Sequence, residues 1–302
     1  MPSPRSRPCL AITTGDPRGI GLEIVAAVLP DLDCDAIVIG PDELVRHLNA
    51  GRSIGVGAWE GGGDEALARA GRLTGAAVET AVRLWKDGVV DAIVTAPADK
   101  RALHAGGYKV PGHTELLRDL TGVRDVAMLL ASDRLRVALV TTHLALRDAL
   151  AILTPERITR TAETVRTGLR DWFGITEPRL ALCAVNPHAG EGGLFGDEER
   201  RVLEPAAKES GLAGPFSADT VFVRALRGEF DAVLAPYHDV GMTAIKVASF
   251  GRGVNVTLGL PVPRTSPDHG TALDIAGKGV ADPGSMREAV KLASAIVRRV
   301  KG

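Results

Sequence analysis

The sequence predicts an α/β protein built on a mostly parallel sheet, and two observations predict it. Short, continuous apolar runs alternate along the chain with longer stretches of helical periodicity. Polar segments, several carrying glycine or histidine, follow directly on the ends of the apolar runs. Strands covered on both faces require such runs, because neither face meets water. In an open sheet of this kind ligands bind outside the carboxyl ends of the strands, so chemistry is expected in the polar segments.

In chain order the expected strands are Cys9–Thr14, Ala36–Gly40, Ala92–Ala96, Val126–Ala131, Arg136–Thr142, Leu180–Val185, Ala232–Ala235 and Val254–Leu258. Helical periodicity is expected over Glu65–Lys86, Pro155–Trp172, Asp197–Glu209 and Pro283–Val300. Thr154-Pro155 reads as a helix start, with Thr154 as N-cap and proline at the first helical position, where its missing N–H costs nothing. The glycine-rich segment Gly51–Asp64 reads as a surface loop.

Composition narrows the function classes. The chain has 302 residues, 45% hydrophobic and 24% charged, which is ample for a sizeable core. Its formal net charge of -1 gives no global field to draw it to nucleic acid or to an anionic membrane, so any anion recognition must be local. No apolar stretch reaches the roughly 18 residues of a membrane span. The basic opening MPSPRSRP is not followed by the apolar run of a secretory leader. The cysteines Cys9, Cys34 and Cys183 form no C-x-x-C pair and are odd in number, which fits a reducing, cytoplasmic compartment rather than a disulfide framework.

Four segments carry chemistry. In Thr13–Ile24, TTGDPRGIGLEI, a strand ends, glycines turn the chain and a helix opens near Ile20. Free N–H groups at such a start can hold an anion, although the G-x-G-x-x-G dinucleotide fingerprint is absent. The second is Val94–Leu117, where Gly112-His113-Thr114-Glu115 opens a helix. His113 and Thr114 suit a phosphate or carboxylate; the competing reading makes Thr114 a cap and leaves His113 exposed. Lys100 and His104 read as solvated helix residues. The third is a trio of histidines, His143, His188 and His238, each just past the end of an apolar run. A parallel sheet brings strand ends together, and three imidazoles suit Zn²⁺, Co²⁺, Ni²⁺ or Fe²⁺ with positions left open for substrate. Asp148, Asn186, Glu191 and Asp239 stand near enough in sequence to orient the rings. The fourth is Lys246–Gly279, where Lys246, Asn255 and Arg264 could grip a phosphorylated or carboxylated substrate. Arg264–Thr271 reads as a polar loop ahead of a helix at Thr271.

Taken together, NPHAGEGG, YHD-x-G, GRGVN-x-TLGLP and RTS-x-DHGTALDIAG resemble the 4-hydroxythreonine-4-phosphate dehydrogenase family over nearly the whole chain. The resemblance implies a two-lobed α/β/α fold similar to isocitrate and isopropylmalate dehydrogenases, with the active site in the cleft between lobes. The lobes are placed at 1–125 plus 265–302 and at 126–264. It implies a cytoplasmic homodimer in which each metal site draws histidines from both subunits, with His143, His188 and His238 as ligands to Zn, Mg or Co. It places substrate on His113, Thr114, Lys246, Asn255 and Arg264, and it implies NAD or NADP as cofactor without assigning its residues. The implied chemistry is oxidation of a C3 hydroxyl polarised by the metal, hydride transfer to the nicotinamide, and loss of carboxylate from the β-keto acid. Lys246 and Asp239 are the candidates for catalytic roles, Lys246 for either proton transfer or carboxylate contact.

The chain departs from the pyridoxine-biosynthetic members at Asp16 in TTGDP, at APADK and at Val240 and Met242 of YHDVGM. Asp16 and LFGDEE are similar to a branch acting on D-threonate or D-erythronate 4-phosphate. A branch oxidising aromatic cis-dihydrodiols fits less well, because GHTE, Lys246, Asn255 and Arg264 are retained. Outside enzymes, the alternative is a metal-stabilised sugar-phosphate sensor, which would keep the histidines and transfer no hydride. No basic patch or DNA-binding helix pair supports it.

Overall fold

The computed structural model describes residues 7–48 and 50–302. The opening residues Met1–Ser6, part of the run read above for a leader, lie outside the described residues. The chain divides into two compact units, Met1–Arg124 with Leu260–Gly302, and Asp125–Gly259. The strands in chain order are β1 Cys9–Thr13, β2 Asp35–Gly40, β3 Ser53–Gly55, β4 Ala92–Thr95, β5 Ala127–Ala131, β6 Arg136–Leu139, β7 Leu180–Cys183, β8 Ala213–Phe216, β9 Ala232–Ala235, β10 Val254–Leu258 and β11 Arg264–Pro267.

The first unit orders its strands β3-β2-β1-β4-β11, and every pairing in it is parallel. β1 and β4 are buried along their whole length, as their unbroken apolar runs require. The second unit orders its strands β10-β5-β6-β9-β7-β8. Here β5 runs antiparallel to both β10 and β6, while β6, β9, β7 and β8 are parallel. Its core gathers Leu130, Val137, Leu139, Cys183, Val233, Ala235 and Ile245. Each fully buried Leu, Ile or Val side chain contributes roughly 1.5–3 kcal/mol by leaving water.

All eight expected strands form, and β1, β4, β6 and β7 stop short of their apolar runs. Three further strands escaped the pattern. β3 lies inside the segment read as a loop, and its glycine-flanked residues offer no apolar run. β8 is interrupted by Gly214-Pro215. β11 is polar, and it is a strand rather than the loop expected at Arg264: it pairs with β4, and the Thr265 hydroxyl donates to the Ala289 carbonyl at 2.8 Å. No helix opens at Thr271; the chain makes turns until the helix Gly284–Lys301.

The helices Ala66–Lys86 and Pro155–Phe173 form where periodicity placed them. Thr154 caps the second, its Oγ1 accepting from the Arg157 amide. The stretch expected as one helix from Asp197 is a π turn, Glu199–Leu203, leading into a helix at Glu204–Ser210. All three cysteines are buried free thiols, and among the described residues no helix is long and apolar enough to cross a membrane.

Candidate functional site

In the second unit, β6, β9 and β7 are neighbours, and each delivers one histidine beyond its carboxyl end. Register fixes the first two. Leu139 pairs with Ala235, the Val140 amide donates to the Ala235 carbonyl at 2.9 Å, and the Thr141 hydroxyl donates to the Pro236 carbonyl at 2.8 Å. The two chains therefore leave the sheet side by side. The rings of His143 and His238 lie 5.3 Å apart between centroids, tilted by 45°. His238 opens the helix His238–Ser249. That helix sits close on the sheet because residue 241 is glycine: a Cβ there would lie 2.6 Å from Leu139 Cδ2. Asp239 Oδ1 lies 3.1 Å from His238 Nδ1, where it holds the ring and leaves Nε2 to a ligand.

His188 leaves β7 differently. Residues 188 to 192 all take left-handed backbone angles, with φ of 51° at His188, 53° at Ala189 and 43° at Glu191. Non-glycine residues hold such angles at a cost of roughly 1–2 kcal/mol each. Among the described residues no three His, Cys, Asp or Glu side chains of this single chain gather into a metal-holding group. One chain thus pairs His143 with His238 and keeps His188 out of that group. Of the side chains expected to orient the rings, Asp239 contacts one. Asp148 pairs with Arg147 at 3.5 Å, Asn186 is engaged by Glu198 and Glu199, and Glu191 is exposed in the left-handed turn. The donor chemistry of the pair fits a borderline divalent cation: two imidazoles at fixed strand ends, His143 exposed and His238 half-buried, with room for further ligands.

Lys246 and Asp239 are exposed and seven residues apart on one helix, hence on the same face about two turns, roughly 10 Å, apart. Asn255 stands on β10 opposite Leu130, and its Oδ1 is enclosed with no partner.

The first unit holds the other polar group. β11 carries Arg264 into the interior at 2% exposure, where its Nη2 donates to Thr95 Oγ1 at 2.6 Å at the end of β4. Burial pushes the guanidinium down to about 10, with Glu115 acting to raise it. His113 begins the helix His113–Thr121, and its Nε2 is enclosed without a partner. Burial, then the charge of Arg264, push its imidazole down to about 3. Gly112 is the N-cap, so Thr114 is not the cap that the competing reading made it, nor is His113 wholly exposed. Lys100, read as merely solvated, passes close to Gly112; burial lowers its pKa while Glu115 raises it.

The amides of the turn after β1, ahead of the helix Gly21–Val28, are bonded within the chain. The amides of Asp16, Arg18, Gly19 and Ile20 donate to Pro97 O, Asp16 Oδ1, Asp16 O and Thr271 O. The fully buried Asp16 also takes Arg18 Nε and Nη2 at 3.0 and 2.7 Å, and Arg18 reaches Asp99 Oδ2 at 3.1 Å. Asp99 in turn caps the helix Lys100–Ala105. The segment is therefore a braced strand–helix turn. Sequence reasoning gave Glu199 no role of its own, although it is the last residue of LFGDEE.

Comparison with known proteins agrees with this architecture. A model of the family described as pyridoxal phosphate biosynthetic protein PdxA matches residues 56–293. The chain is 41% identical to a 4-hydroxythreonine-4-phosphate dehydrogenase of Beijerinckia indica, covering 94% of each chain. It is 42% identical to a D-threonate 4-phosphate dehydrogenase of Cupriavidus necator, covering 97% of this chain and 98% of the relative. The crystal structure of the 4-hydroxythreonine-4-phosphate dehydrogenase from Klebsiella pneumoniae superposes with a TM-score of 0.82 at 38% identity, over 98% of this chain and 99% of that one. A β-decarboxylating dehydrogenase from Thermococcus kodakarensis, at 16% identity and a TM-score of 0.52 over 95% of this chain and 81% of that one, shares the fold.

Proposed function

We propose, from the premise that the chain belongs to the PdxA family of dehydrogenases, that it oxidises the C3 hydroxyl of a phosphorylated four-carbon hydroxy acid with NAD or NADP and decarboxylates the β-keto acid formed. The single observation that carries the substrate class is the polar group of the first unit. A buried guanidinium stands beside an enclosed, unpartnered imidazole nitrogen at a helix start, which is the donor set a phosphate completes.

In this reading Arg264, His113 and Thr114 hold the phosphate, and Arg264 is kept in place by Thr95. Asn255 offers its unpartnered carbonyl oxygen to a substrate hydroxyl. His143, His238 and His188 are the metal ligands, with His188 reaching a site shared between the two subunits of a homodimer. When bound, a divalent ion supplies Lewis-acid polarisation at the substrate oxygen, and the nicotinamide supplies the hydride acceptor. Asp239 keeps His238 in the tautomer that presents Nε2. Lys246 donates a proton or contacts the departing carboxylate. No residue is assigned to the nicotinamide.

A second reading, D-threonate or D-erythronate 4-phosphate as substrate, is supported by Asp16 and LFGDEE and by the 42% identity to the D-threonate 4-phosphate dehydrogenase of Cupriavidus necator.

The test is a panel assay following reduced-nicotinamide absorbance with 4-hydroxythreonine 4-phosphate, both tetronate 4-phosphates and an aromatic cis-dihydrodiol, each with NAD⁺ and NADP⁺. Turnover of a phosphorylated acid, abolished by chelation and restored by Zn²⁺ or Co²⁺, is expected. Turnover of the dihydrodiol alone, or of none, would overturn the reading.

A further inference from the structure

We propose that Glu199 is a positioning residue for His188: its buried carboxylate clamps the exit of β7 and so sets where the left-handed turn presents that imidazole. The inference rests on the reading of His188 as a metal ligand.

Glu199 is 3% exposed and sits on a single π turn. Its Oε1 accepts from the amides of Val185 and Asn186 at 2.9 and 2.8 Å. Its Oε2 accepts from Asn186 Nδ2 at 2.8 Å, and Glu198 Oε2 accepts from the same nitrogen at 2.7 Å. Two carboxylates on one amide nitrogen leave the Asn186 side chain a single orientation, since a flip would set oxygen against oxygen. Every donor here belongs to the two residues that precede Pro187 and His188. Among the described residues no lysine or arginine is paired with this buried carboxylate, so its burial is compensated by orienting the backbone rather than by pairing charge.

The turn downstream needs such a clamp. Five successive residues, His188–Gly192, are left-handed, and three of them are not glycine. Such strain persists only where the surroundings over-determine it. The glycines are fitted to the carboxylates: a Cβ at Gly190 would come 3.0 Å from Glu199 Oε2, and one at Gly196 would come 2.6 Å from both Asn186 Nδ2 and Glu198 Oε2. The turn closes over the clamp as the Phe195 amide donates to the Gly190 carbonyl at 3.2 Å. Clamp and histidine are thus one device.

The experiment is Co²⁺ titration of the metal-free full-length protein, comparing wild type with Glu199→Gln, Asn186→Ala and His188→Ala. The denaturation midpoint of each metal-free sample is measured alongside. Glu199→Gln keeps one acceptor and turns the other into a donor facing a donor. It is expected to weaken Co²⁺ binding by about 10- to 100-fold, the usual toll of a lost outer-shell partner, with binding recovered at high Co²⁺. Asn186→Ala, which spares both backbone bonds, is expected to lose several-fold and serves if Glu199→Gln does not fold. A large loss in His188→Ala with unchanged affinity in the other two would overturn the clamp alone. Unchanged affinity in His188→Ala would overturn the metal reading beneath it. Amide exchange on the wild type gives an independent check: the Val185 and Asn186 N–H groups are expected to be strongly protected, and exchange at unprotected rates would overturn the proposal.

Discussion

The two polar regions of this molecule are built on opposite principles. In the first unit, Arg264 and the imidazole tip of His113 are enclosed, and the interior lowers the pKa of both. A guanidinium held inside the chain beside a neutral imidazole suits an anion. In the second unit, His143 and His188 are exposed, and their meaning lies in placement instead. Adjacent parallel strands bring His143 to His238, while a clamped left-handed turn holds His188 apart. An enclosed site is specified by energetics within one chain. An exposed one is specified by geometry and stays open to what a second chain or an ion supplies.

The largest expected effect breaks the comparison on the enclosed side. Arg264→Met removes the buried guanidinium proposed to hold the phosphate. Kinetics with the best phosphorylated acid should show kcat/KM down roughly 10³-fold, equivalent to about 4 kcal/mol. A loss under about tenfold would mean the phosphate is held elsewhere. On the exposed side, His143→Ala should lower Co²⁺ affinity by about 100-fold while moving the unfolding free energy of the metal-free protein by no more than about 0.5 kcal/mol, since an exposed side chain contributes little packing. Denaturant melts and metal titration check both halves. A large stability loss would show that His143 serves the fold.

The same contrast explains how much could be read from the sequence. Elements made by long-range burial were legible: continuous apolar runs located β1, β2, β4, β5, β6, β7, β9 and β10, and the placement of His143, His188 and His238 beyond three of them followed. Elements made by local hydrogen bonding were not. β11 carries Arg, Thr, Ser and Pro, and becomes a strand only because β4 and the helix Gly284–Lys301 receive it. The bracing of the turn after β1 by Asp16 was not legible either, because it runs through the Arg18 amide and side chain. The exit of β7 ahead of His188 is held by Glu199, eleven residues downstream of that histidine, through backbone amides that no residue pattern displays.

The smallest expected effect sharpens the comparison through pH. Folded, His113 is pushed down to about 3, first by burial and then by Arg264; unfolded, it titrates near about 6.5. Above the unfolded value neither state takes the proton, and this group's share of stability is fully present. Between the two values the unfolded chain binds a proton that the folded one refuses, so stability falls as pH falls. At pH 5 the loss from this one group is about 1–2 kcal/mol, allowing for the ring's partial exposure. His113→Gln should therefore make the decline in unfolding free energy from roughly pH 7.5 to roughly pH 5 shallower than in wild type by about that amount. Inorganic phosphate should flatten the wild-type limb in the same direction, because an anion beside Arg264 offsets the charge that opposes protonation of His113. Identical limbs for wild type and variant would mean that His113 charges freely in the folded protein. The enclosed site would then be as open to water as the exposed one.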